Sequence, residues 1–154
     1  MKSKPKSEQT MTRAKLVELL NGDLAREYQA VIAYVVYSQV IKGAKYMNIA
    51  KELEKHASEE LEHALKISKQ IDYMGGTPTV VPAAVKMSDK PEDLLRFDLD
   101  NEVTTIANYR DRIRQADALG EFALSETLRE IIVEEQDHAM DLADALGIEV
   151  PHKG

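Results

Sequence analysis

A glutamate followed three residues later by a histidine occurs twice in this chain, in matching contexts. The first copy is SEELEHA at residues 58–64 and the second is VEEQDHA at residues 133–139. On an α-helix, positions i and i+3 lie over one surface, so each pair can bind a single cation. The pairs are Glu60 with His63, and Glu135 with His138. Carboxylate and imidazole groups suit iron or manganese rather than a metal that prefers thiolates.

The two motifs belong to a longer internal repeat. The segment DLAREYQAVIAY at residues 23–34 aligns with DLDNEVTTIANY at residues 98–109, with Asp, Leu, Glu and Tyr at the same offsets. Glu27 and Glu102 lie within these segments and are separated by the same 75 residues as the two motifs. Duplication of one helical hairpin explains this spacing simply, and it adds two glutamates to the residues suited to chemistry.

Each of the four glutamates interrupts an apolar stripe with helical spacing. The stripes are Leu20, Leu24, Glu27, Val31 and Tyr34; Ile49, Leu53, Glu60, Ala64 and Ile67; Leu95, Leu99, Glu102, Ile106 and Tyr109; and Leu124, Leu128, Ile131, Glu135 and Ala139. Four carboxylates buried together without cations are severely unfavourable. Two divalent cations balance the charge of four glutamates and two neutral imidazoles. The pattern therefore predicts a buried dinuclear metal site.

Four helical segments position these residues. We expect helices over residues 12–42, 44–74, 89–120 and 121–147, with Thr12 as the first cap. The paired glycines and two prolines of residues 75–83 exclude helix and begin a connection that extends to Lys90. Asp89 is predicted to cap the third helix, with Pro91 in its first turn and Glu92 three residues after the cap. Connections that are short, long and short predict an all-α, antiparallel four-helix bundle with one long crossover between helices 2 and 3.

The same segments divide the chain into three parts. We expect a disordered arm over residues 1–11, the bundle over residues 12–147 and a short tail over residues 148–154. The arm carries three lysines, at positions 2, 4 and 6. Such an arm, repeated on every subunit of a cage, can grip DNA. The acidic body of the chain argues against DNA as a partner.

Composition excludes several kinds of site. The chain has 154 residues, a formal net charge of −7 and no cysteine, which excludes disulfides, zinc–thiolate sites and iron–sulfur clusters. Its longest apolar run, residues 30–37, is far shorter than the ~20 residues that a membrane span needs. No apolar stretch follows the N-terminal lysines, so no secretory signal is indicated. We expect a soluble, cytoplasmic protein without a membrane partner.

From about residue 12 to residue 147 the chain resembles ferritin-like proteins, in particular the bacterioferritin branch. The matching residues are Glu27, Glu60-x-x-His63, Glu102 and Glu135-x-x-His138, the ligand set of di-iron carboxylate bundles. The resemblance implies that Glu27 and Glu102 are terminal ligands. It implies that Glu60 and Glu135 bridge two irons per chain, which manganese or zinc can replace in vitro. It also implies ferroxidase activity, the oxidation of Fe(II) by O2 or H2O2, with iron storage in an oligomeric cage.

The resemblance extends to residues around the ligands. Tyr34 matches a tyrosine that lies near the metals in that family. Tyr34 and Tyr109 are each interpreted either as supporting the metal site or as buried tyrosines that pack and form a hydrogen bond. Asp98 is expected to accept a hydrogen bond from a ligand histidine. His56, one turn before Glu60, is interpreted either as lining a path for incoming iron or as a polar surface position.

The chain also departs from the bacterioferritin pattern. Leu61 stands where haem-binding bacterioferritins have a methionine, so we expect no haem. Methionines expected to fill core gaps instead are Met47, Met74 and Met140. The tail, with His152 expected to be exposed, is too short for the family's fifth helix. A 12-subunit cage like that of Dps proteins, or a dimer, is therefore an alternative to a 24-subunit shell, although the first helix lacks the histidines of the usual Dps site.

Two other functions stay open at the level of the sequence. One is a non-storing di-iron or di-manganese peroxidase or catalase-like enzyme of oxidative stress, similar to rubrerythrin or manganese catalase. Assembly distinguishes it from a storage protein, because storage requires a hollow shell. The other is a DNA-protecting, Dps-like or purely structural protein whose metal site mainly stabilises the bundle.

Overall fold

The computed structural model describes residues 10–153 and is, over that range, a bundle of four long helices. In chain order these are α1 (Arg13–Val40), α2 (Met47–Tyr73), α3 (Pro91–Leu119) and α4 (Phe122–Leu146), with a 3₁₀ turn (Ala44–Tyr46) before α2. The helix α1 packs against α2 and α3 packs against α4, and the two hairpins meet through α1 with α3 and α2 with α4. The predicted all-α bundle with one long crossover is therefore confirmed. Most of the predicted N-terminal arm lies outside the described residues.

Local signals set the ends of the helices. Thr12 caps α1, because its side chain accepts a hydrogen bond from a first-turn backbone N–H at 3.1 Å. Gly120 and Gly147 adopt φ angles of 73° and 69° and end α3 and α4 in the left-handed conformation that glycine tolerates, as predicted. The first helix ends at Val40, two residues earlier than predicted, because Ile41 is extended with ψ of 122°.

The predicted cap of α3 is wrong. The N-cap position is occupied by Lys90, not Asp89, and no side chain caps it. The hydroxyl of Ser88 accepts a hydrogen bond from N of Lys90 at 3.1 Å and donates one to Asp93 at 2.7 Å. This pair of bonds stabilises the turn before the helix, while Asp89 lies one residue outside the capping position. Pro91 does occupy the first turn.

Two apolar clusters fill the bundle, and the predicted metal ligands lie between them along the helices. One cluster includes Leu16, Leu20, Leu24, Ile67, Ile71, Leu124 and Leu128, and the other includes Ile41, Leu53, Leu95, Leu99 and Leu142. Each fully buried side chain of this kind stabilises the fold by roughly 1.5–3 kcal/mol. That stabilisation offsets the cost of a polar layer in the middle of the bundle. No helix among residues 10–153 is long and apolar enough to cross a membrane.

The crossover, residues 74–90, runs along α1. The backbone N–H of Ala83 donates to the carbonyl oxygen of Ala25 at 2.9 Å. Gly76 allows a close approach to the helix, because a Cβ at this position would lie 2.4 Å from Cγ1 of Val17. The long connection thus braces the first helix over the segment that leads into the polar layer.

Candidate dinuclear metal site

The structure brings all six predicted ligand residues together in the polar layer. They form two groups of four, and the donor atoms within each group lie within 4.8 Å of one another. The groups are Glu27, Glu60, His63 and Glu135, and Glu60, Glu102, Glu135 and His138. Glu60 and Glu135 belong to both groups, and every member of the set is at most 3% exposed. This arrangement provides donors for two cations that share two carboxylates.

Each histidine turns one ring nitrogen toward the other members of the set. Nδ1 of His63 lies 2.7 Å from Oε1 of Glu135 and 3.2 Å from Oε2 of Glu60. Nδ1 of His138 lies 2.9 Å from Oε1 of Glu60. In both rings, therefore, Nδ1 is the atom placed to bind a metal and Nε2 faces outward.

Two further glutamates hold the outward ring nitrogens. Nε2 of His63 donates to Oε2 of Glu134 at 3.0 Å, and Nε2 of His138 donates to Oε2 of Glu59 at 3.2 Å. Each of these bonds crosses from one hairpin to the other, and each fixes the tautomer that leaves Nδ1 free for a metal. Sequence reasoning missed both residues, although the doubled glutamate in each motif was a signal that pointed to them.

Asp98 does not fill the role predicted for it. The ring nitrogens of His138 face Glu60 and Glu59, and Asp98 hydrogen-bonds to neither ligand histidine. Burial, and next the charge of Glu102, raise the pKa of the Asp98 carboxyl well above its usual range. The prediction was wrong because packing between the hairpins places the carboxylate of Glu59 at Nε2 of His138 instead.

Two tyrosines reach across the bundle to the ligand carboxylates. The hydroxyl of Tyr34 donates to Oε1 of Glu102 at 2.6 Å, and the hydroxyl of Tyr109 donates to Oε1 of Glu27. Burial, and next the facing carboxylates, raise the pKa of both hydroxyls well above the usual value, so both stay protonated as donors. Tyr109 thus holds the position equivalent to that of Tyr34, and its hydrogen bond to Glu27 favours the supporting role over packing alone.

The crowding of carboxylates dominates the electrostatics of the layer. Burial, and next the neighbouring carboxylates, raise the pKa of Glu60 and Glu135 well above the usual range. Burial also opposes the charge of Glu102, but hydrogen bonds with Glu135 and His138 outweigh it and lower its pKa to about 2. Oε2 of Glu27 and Oε2 of Glu102 are buried without a hydrogen-bond partner. Two divalent cations would neutralise this charge and occupy these free oxygens, so the residues fit a metal pair.

His56 lies next to this layer and is buried, with only 1% of its surface exposed. Its ring stacks on that of His138 with the centroids 4.1 Å apart, and it meets the edge of Tyr34 at 5.1 Å. The interpretation of His56 as a polar surface position is therefore wrong.

Several residues discussed from the sequence lie away from the layer. Leu61 is 53% exposed on the outer face of α2. Met47 and Met140 are exposed as well, so the prediction that they fill core gaps is wrong, because they lie off the apolar stripes. Met74 is buried in the core, and His152 is exposed, as predicted for both.

A bundle of four helices whose polar middle layer holds four glutamates and two histidines is an arrangement typical of the ferritin-like class. The family model of the ferritin-like domain matches residues 17–149, and this chain belongs to that family.

Individual relatives agree with this assignment. The bacterioferritin of Brucella melitensis biotype 1 is 28% identical over 127 residues, which are 80% of this chain and 78% of that protein. A structure of ferritin-like, diiron-carboxylate proteins from Bacillus anthracis is 33% identical and has a TM-score of 0.83, covering 87% of this chain and 96% of that one. The dodecameric thioferritin of Bacteroides fragilis, 24% identical over 90% of this chain and 88% of its own, has a TM-score of 0.82 and supports the fold alone. The first two of these relatives support iron storage and ferroxidase chemistry at the level of the family.

Proposed function

We propose that this protein is a ferroxidase that binds two Fe(II) ions per chain and oxidises them to Fe(III) with O2 or H2O2. The observation that carries the proposal is the pair of ligand groups that share Glu60 and Glu135. Two adjacent Fe(II) ions release two electrons together, which reduce O2 to H2O2, or H2O2 to water, with uptake of two protons. Membership in the ferritin-like family and the bacterioferritin relative support this reaction.

The ligand residues divide into roles by the groups to which they belong. Glu60 and Glu135 bridge the two irons, because each belongs to both groups. Glu27 with His63 completes one iron position, and the remaining two ligands, Glu102 and His138, complete the other. The four carboxylates around the bound pair would stabilise the increase of two in its total charge on oxidation. Glu59, Glu134 and the two tyrosines hold the ligands in place.

The product is stored in a homo-oligomeric shell, and no haem is bound. Family membership supports storage, since an oxidised, insoluble iron product needs an enclosed volume. Leu61 supports the absence of haem, because a leucine side chain has no atom that can bind iron. A non-storing dimer that oxidises iron, or that breaks down H2O2 as a peroxidase or catalase does, is the alternative that the same ligand set permits.

The test is an aerobic titration with Fe(II) that records the ferric absorbance together with the particle mass in solution by sedimentation. Wild-type protein is expected to be a shell of many chains that takes up far more than two irons per chain. Glu60→Ala is expected to abolish the rapid phase of oxidation, whereas Glu62→Ala, a change of the same kind at an exposed position of α2, keeps it.

The outcomes separate the functions. A dimer limited to two irons per chain contradicts storage and favours the peroxidase alternative, which turnover of H2O2 would then demonstrate. Fe(II) oxidation no faster than that of iron in buffer contradicts the ferroxidase proposal.

A further inference from the structure

The chain that follows α4 turns back along the α3–α4 hairpin. This tail, residues 148–153, encloses a groove of about 500 Å³ together with the two helices. None of the six proposed metal ligands lines the groove. We propose that the groove binds an amphipathic anion, a small molecule with an apolar body and one carboxylate. The proposal does not depend on the proposed function, because it is argued from the residues of the groove and the tail.

The floor and walls of the groove are largely apolar. Its volume lies within the range of about 300–1,000 Å³ that is typical of small-molecule sites, which apolar side chains mainly line. Removing such side chains from water favours the binding of an apolar body. The apolar lining comes from both helices and the tail, and it includes Val103, Ile106, Ala139, Met140, Ile148 and Val150.

Hydrogen bonds hold the tail as one wall of the groove. The backbone N–H of Ile148 donates to the carbonyl oxygen of Ala143 at 3.0 Å. At the other end, Nη1 of Arg110 donates to the carbonyl oxygen of Lys153 at 3.1 Å, and Nζ of Lys153 donates to Oγ1 of Thr104 at 2.7 Å. The tail is thus anchored at both ends, and it walls the groove instead of filling it.

Basic side chains gather at one end of the groove. Arg110 and Lys153 line both the groove and an adjoining recess on α3. Arg114 and Asp111 also line this recess, so its walls carry three basic side chains and one acidic side chain. In a chain with a formal net charge of −7, such a cluster is a local attraction for an anion.

The acidic side chains of the groove lie toward its other end. Asp144 is near the end of α4, which runs antiparallel to α3, and Glu149 follows in the first part of the tail. On α3, Val103 lies nearer to that end than Arg110, and the two residues are separated by about 10 Å along the helix. The separation of charge orients the ligand, with its carboxylate at Arg110 and its apolar body toward Val103.

Arg110 is suited to bind the carboxylate. Arg112 and Arg129 pair with aspartates at 2.8 and 3.1 Å, whereas Arg110 has no acidic partner in the part of the chain that the structure describes. A guanidinium group binds a carboxylate through two parallel hydrogen bonds, which gives it a fixed direction. The position equivalent to Arg110 in the other hairpin is Val35, so the helix face does not require a cation there.

The experiment measures binding of decanoate to the full chain by isothermal titration calorimetry, at concentrations at which decanoate forms no micelles. Wild type is expected to bind one decanoate per chain. Arg110→Gln is expected to bind it at least about tenfold more weakly, because a hydrogen bond to a charged group is lost. Arg114→Gln, which leaves the hydrogen bonds of the tail intact, is expected to bind it several-fold more weakly. Arg96→Gln, at an exposed position of α3 outside the groove, is the matched control.

The apolar part of the site is tested separately. Affinity is expected to fall several-fold from decanoate to hexanoate, and acetate is expected not to bind, because the apolar body supplies most of the affinity. Met140→Asp places a negative charge in the groove and is expected to abolish binding. Val133→Asp makes the same change at an exposed position of α4 outside the groove and is expected to keep it.

Each outcome decides the proposal. Equal affinities of Arg110→Gln, Arg114→Gln and Arg96→Gln for decanoate overturn it, as does acetate that binds as tightly as decanoate. Absence of decanoate binding to wild type also overturns it, including the case in which a second copy of the chain covers the groove. Thermal unfolding shows that each variant keeps its fold, and the exposed Arg114 and Met140 serve as the test if Arg110→Gln does not fold.

The metal layer is tested independently of the groove. Glu60→Ala, which removes a proposed metal ligand, is expected to bind decanoate as wild type does. Arg110→Gln is expected to oxidise Fe(II) at the rate of wild type. A protein that binds decanoate in the groove and oxidises no Fe(II) contradicts the ferroxidase proposal and supports the anion site.

Discussion

The two hairpins of the bundle are alike in the residues that face the metal positions and unlike in what surrounds those residues. The α1–α2 hairpin contributes Glu27, Glu60 and His63, and the α3–α4 hairpin contributes Glu102, Glu135 and His138. Neither hairpin completes a cation position by itself, since each group of four includes a glutamate from the other hairpin. The tyrosines and the outer glutamates also reach across, so each half is positioned by its partner.

The surroundings break this equivalence. Asp23 is paired with Arg112 at 2.8 Å, whereas Oδ2 of Asp98, its counterpart in the repeat, has no hydrogen-bond partner. His56 stacks on the ligand histidine of one half, and Ile131 occupies the corresponding position in the other. The charge and geometry of a metal pair constrain the direct ligands, whereas their neighbours are free to differ. The two candidate cation positions therefore share ligand types and have unequal environments.

The largest effect is expected from the residues common to both halves. Glu60→Ala and Glu135→Ala each remove a donor from both cation positions. Each should slow Fe(II) oxidation at least about a hundredfold, because loss of a residue that only hydrogen-bonds to a ligand typically costs about 10- to 100-fold. Stopped-flow absorbance measures the rate, and the two variants should be equally impaired. A large difference between them would show that only one of the glutamates bridges.

The outer glutamates should give the next largest effect. Glu59→Ala and Glu134→Ala each release one ligand ring, which typically lowers metal affinity about 10- to 100-fold. Competition with a metal-binding dye measures the affinity, and Glu130→Ala on the exposed face of α4 is the control. Similar losses in both variants would support the equivalence of the halves. Affinities equal to that of the control would contradict a role for these hydrogen bonds.

The tyrosines test the equivalence of the halves through stability. Tyr34→Phe and Tyr109→Phe each remove a buried hydrogen bond to a carboxylate, which should lower the free energy of unfolding by about 1.5 kcal/mol. Urea denaturation measures this, with Tyr73→Phe as an exposed control. No loss in Tyr109→Phe, with a clear loss in Tyr34→Phe, would show that the second tyrosine only packs.

A further effect expected is a dependence of stability on pH to which Asp23 contributes. Burial raises the pKa of Asp23 to about 6 despite the attraction of Arg112, compared with 3.8 for the unperturbed group. Between pH 3.8 and about 6 the folded state binds the proton more tightly than the unfolded state, so Asp23 favours folding less as pH rises through this window. The slope is at most about 1.4 kcal/mol per pH unit.

Asp23→Asn should remove the contribution of Asp23 to this dependence, and Asp111→Asn, an exposed change on α3, should keep it. The comparison is made by urea denaturation of both variants and wild type across pH 4 to 7. A wild-type profile parallel to that of Asp23→Asn would contradict the raised pKa.

Much of this site could be predicted from the sequence. Its proposed ligands follow the spacing of a helix, and they recur 75 residues apart because the hairpin is duplicated. Glu27 and Glu102 were found from the shared 75-residue spacing, and the apolar stripes predicted their burial. The residues that were missed, Glu59 and Glu134, act on ligands of the opposite hairpin. Their partners lie more than 70 residues away in the chain, beyond any pattern along one helix.

The sequence by itself determined the number of helices, the long crossover and the residue types of the polar layer, because helical periodicity and turn residues act locally. Only the tertiary structure decided which carboxylate faces which ring nitrogen. It showed that Asp98 hydrogen-bonds to neither ligand histidine and that His56 hydrogen-bonds to Asp141 on another helix. These pairings depend on how the packed helices are rotated and how far apart they lie. Many side-chain contacts together set that geometry, so no single segment of the sequence predicts it.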